Sequence, residues 1–174
     1  MKQIVIGILA VLALYGCNGN AQQINNKKMS KLIYVMDPLC GWCYGNSANT
    51  QHLYDTYKNQ IDFEILPAGM WIGENARKQS KPMAQYIKKH DLQIQQVTGT
   101  AFGQDYFKFV ENESIVLDSE IPSRAIVTVK KIWATQAVSF AIEVQKARYL
   151  HAKDLNDDAT YLSICENLKL DKEQ

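Results

Sequence analysis

Four cysteines carry the chemistry open to this 174-residue sequence: Cys17, the pair Cys40 and Cys43, and Cys165. Two residues separate the members of the pair, a spacing that fits half a zinc site, a redox dithiol or a structural disulfide. Zinc wants a second pair or a histidine group at ligand spacing. The three histidines, His52, His90 and His151, are scattered, so no metal is expected. A structural disulfide across so short a loop constrains the unfolded chain little and stabilises little. A redox dithiol is the favoured reading, because two intervening residues bring the sulfurs together across one turn and a thiolate there can attack a disulfide.

The neighbouring elements support this reading by position. Lys31–Met36 is a short β-branched and aromatic run stopped by Asp37-Pro38, the pattern of a buried strand. From Trp42 to about Asn59, apolar positions at Leu53, Tyr54 and Tyr57 keep a helical spacing, and Ile61–Leu66 is a second strand closed by Pro67. Strand, helix and strand in so few residues form a βαβ unit, so the two strands should be parallel. Cys40 then falls where unpaired N–H groups and the positive end of a helix dipole stabilise a thiolate. Such a thiolate is both an available nucleophile and a good leaving group. Cys43, one turn further, can reach back to close an internal disulfide.

Beyond Pro67 the pattern is helical. Ser80 with Pro82 marks a helix start, and Met83, Tyr86, Ile87 and His90 continue it. Ser119 and Ser123 are possible N-caps around Pro122. From Ile126 to Ala147, apolar residues recur three and four apart. Ala125–Val129 is rich enough in β-branched residues to compete as a strand, but the helical spacing runs straight through it. Asp157-Asp158 precedes a last helical set, Tyr161, Leu162, Ile164 and Leu168.

Composition bounds the function class. Hydrophobic residues make up 47% and charged residues 21%, so the chain can bury a core and is not a disordered tail. With 19 Lys and Arg against 18 Asp and Glu, the net charge of +1 proposes no nucleic-acid partner.

The N-terminus points to export. Residues 4–15 form an apolar run preceded by Lys2 and followed by Gly16-Cys17. A spanning helix needs about 20 apolar residues, so the run suits the core of a secretory signal. The small residue before Cys17, with Leu14 three positions ahead of it, resembles the lipobox of bacterial lipoproteins, although Tyr15 is bulkier than is usual there. An ordinary signal peptide without lipid is the alternative. The expected organisation is a signal over 1–16, a polar tether over 17–30 that begins with a lipid-bearing Cys17, and a domain held at a bacterial membrane, facing the periplasm or the cell exterior.

The segment Tyr34-Val35-Met36-Asp37-Pro38-Leu39-Cys40-Gly41-Trp42-Cys43-Tyr44-Gly45 resembles the active-site segment of DsbA-like thioredoxin-fold proteins, particularly the FrnE-type branch. The likeness continues through Ala68-Gly69-Met70-Trp71, Thr98-Gly99, Phe102-Gly103, Asp118–Ser123 and His151–Asp157, and so covers about residues 31–170. It implies an α/β fold: a thioredoxin-like βαβ core over 31–70 with a helical domain inserted after the second strand, over 71–174. It implies thiol-disulfide oxidoreductase or isomerase activity without a cofactor, acting on cysteine-containing proteins and served by an unidentified redox partner. By matching positions, Cys40 attacks, Cys43 resolves, and Gly41-Trp42 is the dipeptide that tunes the potential. Strongly oxidising members carry a histidine in that dipeptide, so Trp42 implies a milder potential.

Two features depart from the family pattern. A cis-proline loop, two further strands and a last helix should follow the insertion, yet no proline lies beyond Pro122 and the segment from Thr160 to Leu170 reads as helix. The C-terminal strands, helix and cis-proline loop are therefore expected to be missing. Two rival readings stand beside the oxidoreductase: a relative of the glutathione-dependent isomerases, and a non-catalytic, membrane-tethered remnant or binding domain. Among the other residues, Cys165 is expected to be a buried thiol. Trp71, Trp133, Tyr106, Phe107 and Phe109 are expected in the core rather than in a substrate groove. His52 should lie on the surface, and Lys88-Lys89 and Lys130-Lys131 on solvated helix faces.

Overall fold

Alternating side chains make the first strand a two-faced element. In the computed structural model, which describes residues 30–171, strand β1 (Ser30–Met36) turns Leu32, Tyr34 and Met36 inward and leaves Ile33 and Val35 52% and 56% exposed. The signal and lipidation readings, Cys17 included, lie outside the described residues, as does the tether expected over 17–30 except for its last residue, Ser30, which pairs in β1 and is not tether. β1 pairs in parallel with β2 (Ile61–Pro67), with Leu32 opposite Phe63, Tyr34 opposite Ile65 and Met36 opposite Pro67. The expected parallel pair is present.

The connection between these strands is helical but not one helix. It divides into α1 (Gly41–Gly45) and α2 (Ser47–Tyr57), with a bend at Asn46 through which main-chain bonding continues, Asn46 N–H to the Trp42 carbonyl and Thr50 N–H to the Asn46 carbonyl. Apolar spacing along one strip of sequence carries no mark of this bend. Gly45 lets α1 press against Ile94 and Thr98 of a later helix, and that approach is a tertiary event.

After β2 the chain becomes helical, as expected, apart from an antiparallel ladder of two residues a side, β3 (Arg77–Lys78) with β4 (Val116–Leu117), too short for any alternation to show. Helix α3 (Lys81–Thr98) starts where Ser80 Oγ accepts the Met83 N–H at 3.4 Å, with Pro82 in its first turn, and it stops at Gly99 in the left-handed conformation (φ 74°). A short α4 (Gln104–Phe109) precedes β4, and α5 (Glu120–Ile132) resolves the competing strand reading of Ala125–Val129 in favour of helix. Ser119 holds the N-cap position of α5 without capping it; Asp118 Oδ1 accepts the Glu120 N–H instead. Helices α6 (Ala137–Tyr149) and α7 (Asp158–Asn167) follow, the latter capped by the Asp157 carboxylate.

Helix α6 is the hub. Val138, Phe140, Ala141, Val144, Gln145 and Arg148 are all buried, so it is covered on every side rather than striped. One core gathers Met36, Ile65, Ile126, Phe140, Ala141 and Ile164 where β1, β2, α5, α6 and α7 meet. A second, aromatic core joins Tyr44, Phe102, Tyr106 and Tyr149, with the Tyr44 and Tyr149 rings stacked at 4.9 Å. Among the described residues no third strand joins β1 and β2, and no peptide bond is cis.

Three expectations need correction. Cys165 is half-buried at the edge of the first core, because α7 lies at the rim and leaves its flank open. Lys130 does not merely solvate a helix face: its ammonium bonds Glu64 of β2 at 2.7 Å and ties α5 to the sheet. Lys88 likewise pairs with Glu111, at 2.5 Å. His52 is exposed, as expected.

Candidate active site

The Cys40 loop is positioned by a carboxylate. Asp37, 4% exposed at the end of β1, accepts the Leu39 N–H at 2.7 Å and the Ser119 hydroxyl at 3.0 Å on Oδ1, and the Met70 N–H on Oδ2. Its carbonyl accepts the Cys40 N–H at 3.1 Å and the Gln145 side-chain amide at 3.4 Å. Ser119 completes the link by exchanging bonds with the main chain of Trp71, receiving the Trp71 N–H on Oγ and donating its own N–H to the Trp71 carbonyl. A buried carboxylate with three donors needs no counter-ion. It joins the strand end, the segment after β2 and the start of α5 in one frame.

On that frame Cys40 is extended (φ −92°, ψ 112°) and caps α1, its sulfur accepting the Cys43 N–H at 3.4 Å. Both cysteines are free and half-buried. The Cys43 thiol donates to the Cys40 sulfur, and this bond first, aided by the N–H groups of Cys43 and Trp42, brings the Cys40 pKa down to about 6 against the opposing effects of burial and of Asp37. Cys43 moves the opposite way: its proton is held by Cys40 and burial disfavours its thiolate. Because α1 is only five residues long, local donors and not a long dipole stabilise the anion.

Cys40 opens into a cleft of about 410 Å³ whose walls include Trp42, Met70, Trp71, Met83, Ile87 and Ile94. Trp42 is 48% exposed at the rim, and Gly41 backs onto α3 so closely that a Cβ there would overlap the Asp91 carboxylate. Trp71 is half-buried in the cleft wall with the Arg77 guanidinium 4.6 Å above its ring, so it is not a core residue as expected. Tyr106 also reaches the cleft from the aromatic core, whereas Trp133 lies on a different surface groove.

The site roles of Asp37, read as a strand stop, and of Ser119, read as an N-cap, were not foreseen in the sequence, and Asp91 and Arg148 were not singled out at all. Two carried a signal: Asp91 interrupts the apolar stripe Ile87–Ile94, and Arg148 follows Val144 by one turn on a helix buried all round. A charged residue at an apolar position of a core helix marks a buried polar site. Among the described residues no group of three His, Cys, Asp or Glu side chains could hold a metal ion.

No protein-family model matches the chain, and no curated protein sequence does. Solved structures do. The cytosolic disulfide reductase DsbM from Pseudomonas aeruginosa superposes with a TM-score of 0.68 at 29% identity, over 80% of this chain and 64% of that one. The chain shares the fold of the DsbA-like thioredoxin-fold proteins. A protein from Nitrosomonas europaea, provisionally named a protein disulfide isomerase, shares the fold at 23% identity with a TM-score of 0.73, over 84% of this chain and 68% of that one. One from Streptomyces coelicolor, provisionally named a DsbA oxidoreductase, shares it at 12% identity with a TM-score of 0.56, over 82% and 64%. This DsbA-like chain thus spans about 64% of the length of the reductase it matches. DsbM has also been solved with glutathione, in a structure that matches at 28% identity. Among the described residues no helix is long and apolar enough to cross a membrane.

Proposed function

We propose that the chain is a thiol-disulfide oxidoreductase working through Cys40-Gly41-Trp42-Cys43. Cys40 thiolate attacks a substrate disulfide; a bond forms between the Cys40 sulfur and one substrate sulfur, and the other leaves as a thiolate. Cys43 then gives up its proton and attacks Cys40, closing the Cys40–Cys43 disulfide and releasing the second substrate thiolate. Two electrons pass from the dithiol to the substrate, and the two substrate thiolates take up protons. Run backward, the same steps oxidise a dithiol.

The observation that carries this reading is the divergence of the pair, Cys40 pulled down to about 6 and Cys43 pushed up, at the mouth of an apolar cleft. An ionised attacker and a protonated resolver are what the two steps need. Gly41 and Trp42 tune the potential, Gly41 by admitting α3 against the site and Trp42 at the cleft rim. Residues 31–70 supply the thioredoxin-like part and 71–174 the inserted helical part, and both wall the cleft. Methionines Met70 and Met83 suit a surface that meets varied cysteine-containing proteins.

Insulin reduction and reactivation of a scrambled substrate test the reading, with Cys40→Ser as control. Turnover above that control is expected; turnover equal to it would leave a non-catalytic binding domain. A second reading, exchange with a low-molecular-weight thiol, is favoured by the solved complex of DsbM with glutathione. Export and lipid attachment at Cys17 rest on the sequence of the first 17 residues. Globomycin-sensitive processing with lipid label lost in Cys17→Ala is expected, and label retained in that variant would remove Cys17 as the site.

A further inference from the structure

The cleft beside Cys40 contains a cation that the redox steps do not use. Arg148, 3% exposed on α6, lines the cleft with its guanidinium between the rings of Tyr106, Phe109 and Tyr149, at 5.8, 5.6 and 5.8 Å from their centroids. Its Nε–H is buried without a hydrogen-bond partner, and among the described residues no carboxylate forms an ion pair with it. The rings support the charge through their faces and the Tyr106 hydroxyl also meets the guanidinium, but the Nε–H stays unspent. A guanidinium this deeply buried ordinarily spends its donor edge on a carboxylate, two parallel bonds at once.

The acid of the cleft wall, Asp91, is otherwise engaged. Asp91 accepts the Tyr106 hydroxyl at 2.6 Å and rests against Gly41, and it acts on Arg148 through charge alone. Three charge-bearing groups of the wall therefore come from three elements: Cys40 ahead of α1, Asp91 on α3 and Arg148 on α6. The nucleophile and the guanidinium line one cleft whose volume, about 410 Å³, is at the small-molecule end of ligand pockets.

We propose that Arg148 receives a carboxylate of the molecule whose sulfur reacts with Cys40, and that this molecule is a small thiol or disulfide. The proposal rests on the redox reading above and sharpens its substrate class. Held by Arg148, a carboxylate-bearing disulfide is attacked by Cys40 as already described; no further oxidant or reductant is needed, because the Cys40–Cys43 dithiol supplies both electrons. A protein substrate would have to thread an acidic side chain to the floor of the cleft, whereas a short disulfide carries its carboxylate there itself.

Three symmetric disulfides test this on the purified, reduced chain: dithiodipropionate (anionic), hydroxyethyl disulfide (neutral) and cystamine (cationic). Loss of thiolate absorbance gives each rate, which is divided by the rate of the same disulfide with a free cysteine derivative to remove its intrinsic reactivity. A hydrogen-bonded carboxylate should favour dithiodipropionate over hydroxyethyl disulfide by about tenfold. Arg148→Gln and Arg148→Met should abolish that preference, read as the ratio of the two normalised rates within each variant, while Arg124→Gln, at an exposed arginine of α5, should leave the ratio unchanged. No preference in the unaltered protein, or one that survives in Arg148→Gln, overturns the proposal. Should circular dichroism show that the Arg148 variants do not fold, Asp91→Asn decides: removing the competing acid should increase the preference, and an unchanged or smaller ratio overturns it. Failure of the unaltered protein to react with hydroxyethyl disulfide would instead sink the redox reading itself. A preference for a Glu-flanked over a Gln-flanked peptide disulfide, with none among the small disulfides, would assign Arg148 to protein substrates and overturn the small-molecule assignment.

Discussion

Replacing Cys43 by alanine removes the leading contribution to the Cys40 thiolate and leaves the main-chain donors in place. A hydrogen bond to a charged group contributes about 1.5–3 kcal/mol, and each pKa unit is about 1.36 kcal/mol. The Cys40 midpoint should therefore rise from about 6 by about one to two units in Cys43→Ala. At pH 7 the thiolate fraction falls from roughly nine-tenths to between one-half and one-tenth. Each remaining thiolate is a stronger nucleophile by roughly three- to eightfold, because reactivity climbs with basicity at a slope of about 0.4–0.5. The two effects nearly cancel, so a rate at one pH cannot decide the matter. The full pH profile of iodoacetamide alkylation, paired with thiolate absorbance at 240 nm, reads the midpoint directly. A midpoint that stays at about 6 in Cys43→Ala would refute the role given to the Cys43 thiol and leave the N–H groups as the whole cause.

The same shift links pH to stability. The Cys40 pKa is lower in the folded protein than in the unfolded chain, so its contribution is present above the unfolded thiol value of about 8.5 and is lost as pH falls through about 6. Reduced protein should gain about 1 kcal/mol between pH 6 and pH 7.5 after discounting for the thiol's solvent access, and Cys40→Ser should not, as read from urea midpoints. Gly103→Ala places a Cβ onto the Leu150 main-chain carbonyl, which cannot swing aside as a side chain can; a loss of about 2–3 kcal/mol is expected in the same titration. Ser119→Ala strips Asp37 of one donor and the Trp71 N–H of its acceptor, and should cost about 2 kcal/mol. Lys169 sits in the left-handed conformation (φ 57°) just after α7, where its N–H bonds Glu166 and the next bonds Cys165; Lys169→Gly relieves that strain and should raise the unfolding midpoint by the equivalent of about 1 kcal/mol.

What could be read without the structure is what depends on neighbours in the chain. Short β-branched and aromatic runs closed by proline marked β1 and β2, three-four spacing marked α5 through Ala125–Val129, and Ser80 with Pro82 marked the start of α3, because each reflects a backbone conformation that a few adjacent residues select. The Cys40–Cys43 spacing, set after a strand, was legible for the same reason. The bend at Asn46 was not: it follows from Gly45 meeting Ile94, half the chain's first hundred residues away. Lys130 reads as a surface charge until Glu64 is found beside it, and Trp71 reads as core until the cleft is seen on its flank.

By itself, then, the sequence determined a pair of cysteines at the turn between a strand and a helix, the arrangement the proposed chemistry needs, and the mainly helical character of the described residues after Pro67. Only tertiary structure decided the environment in which that dithiol works. Ser119 reaches Asp37 across 82 positions, Tyr106 turns its hydroxyl onto Asp91, and Arg148 arrives among three rings beside Cys40 with its Nε unpaired. Hydrogen bonds and charges act over a few ångströms of space, whatever the distance along the chain, so the residues that set a thiol's pKa or receive a substrate's carboxylate become visible only when packing brings them together.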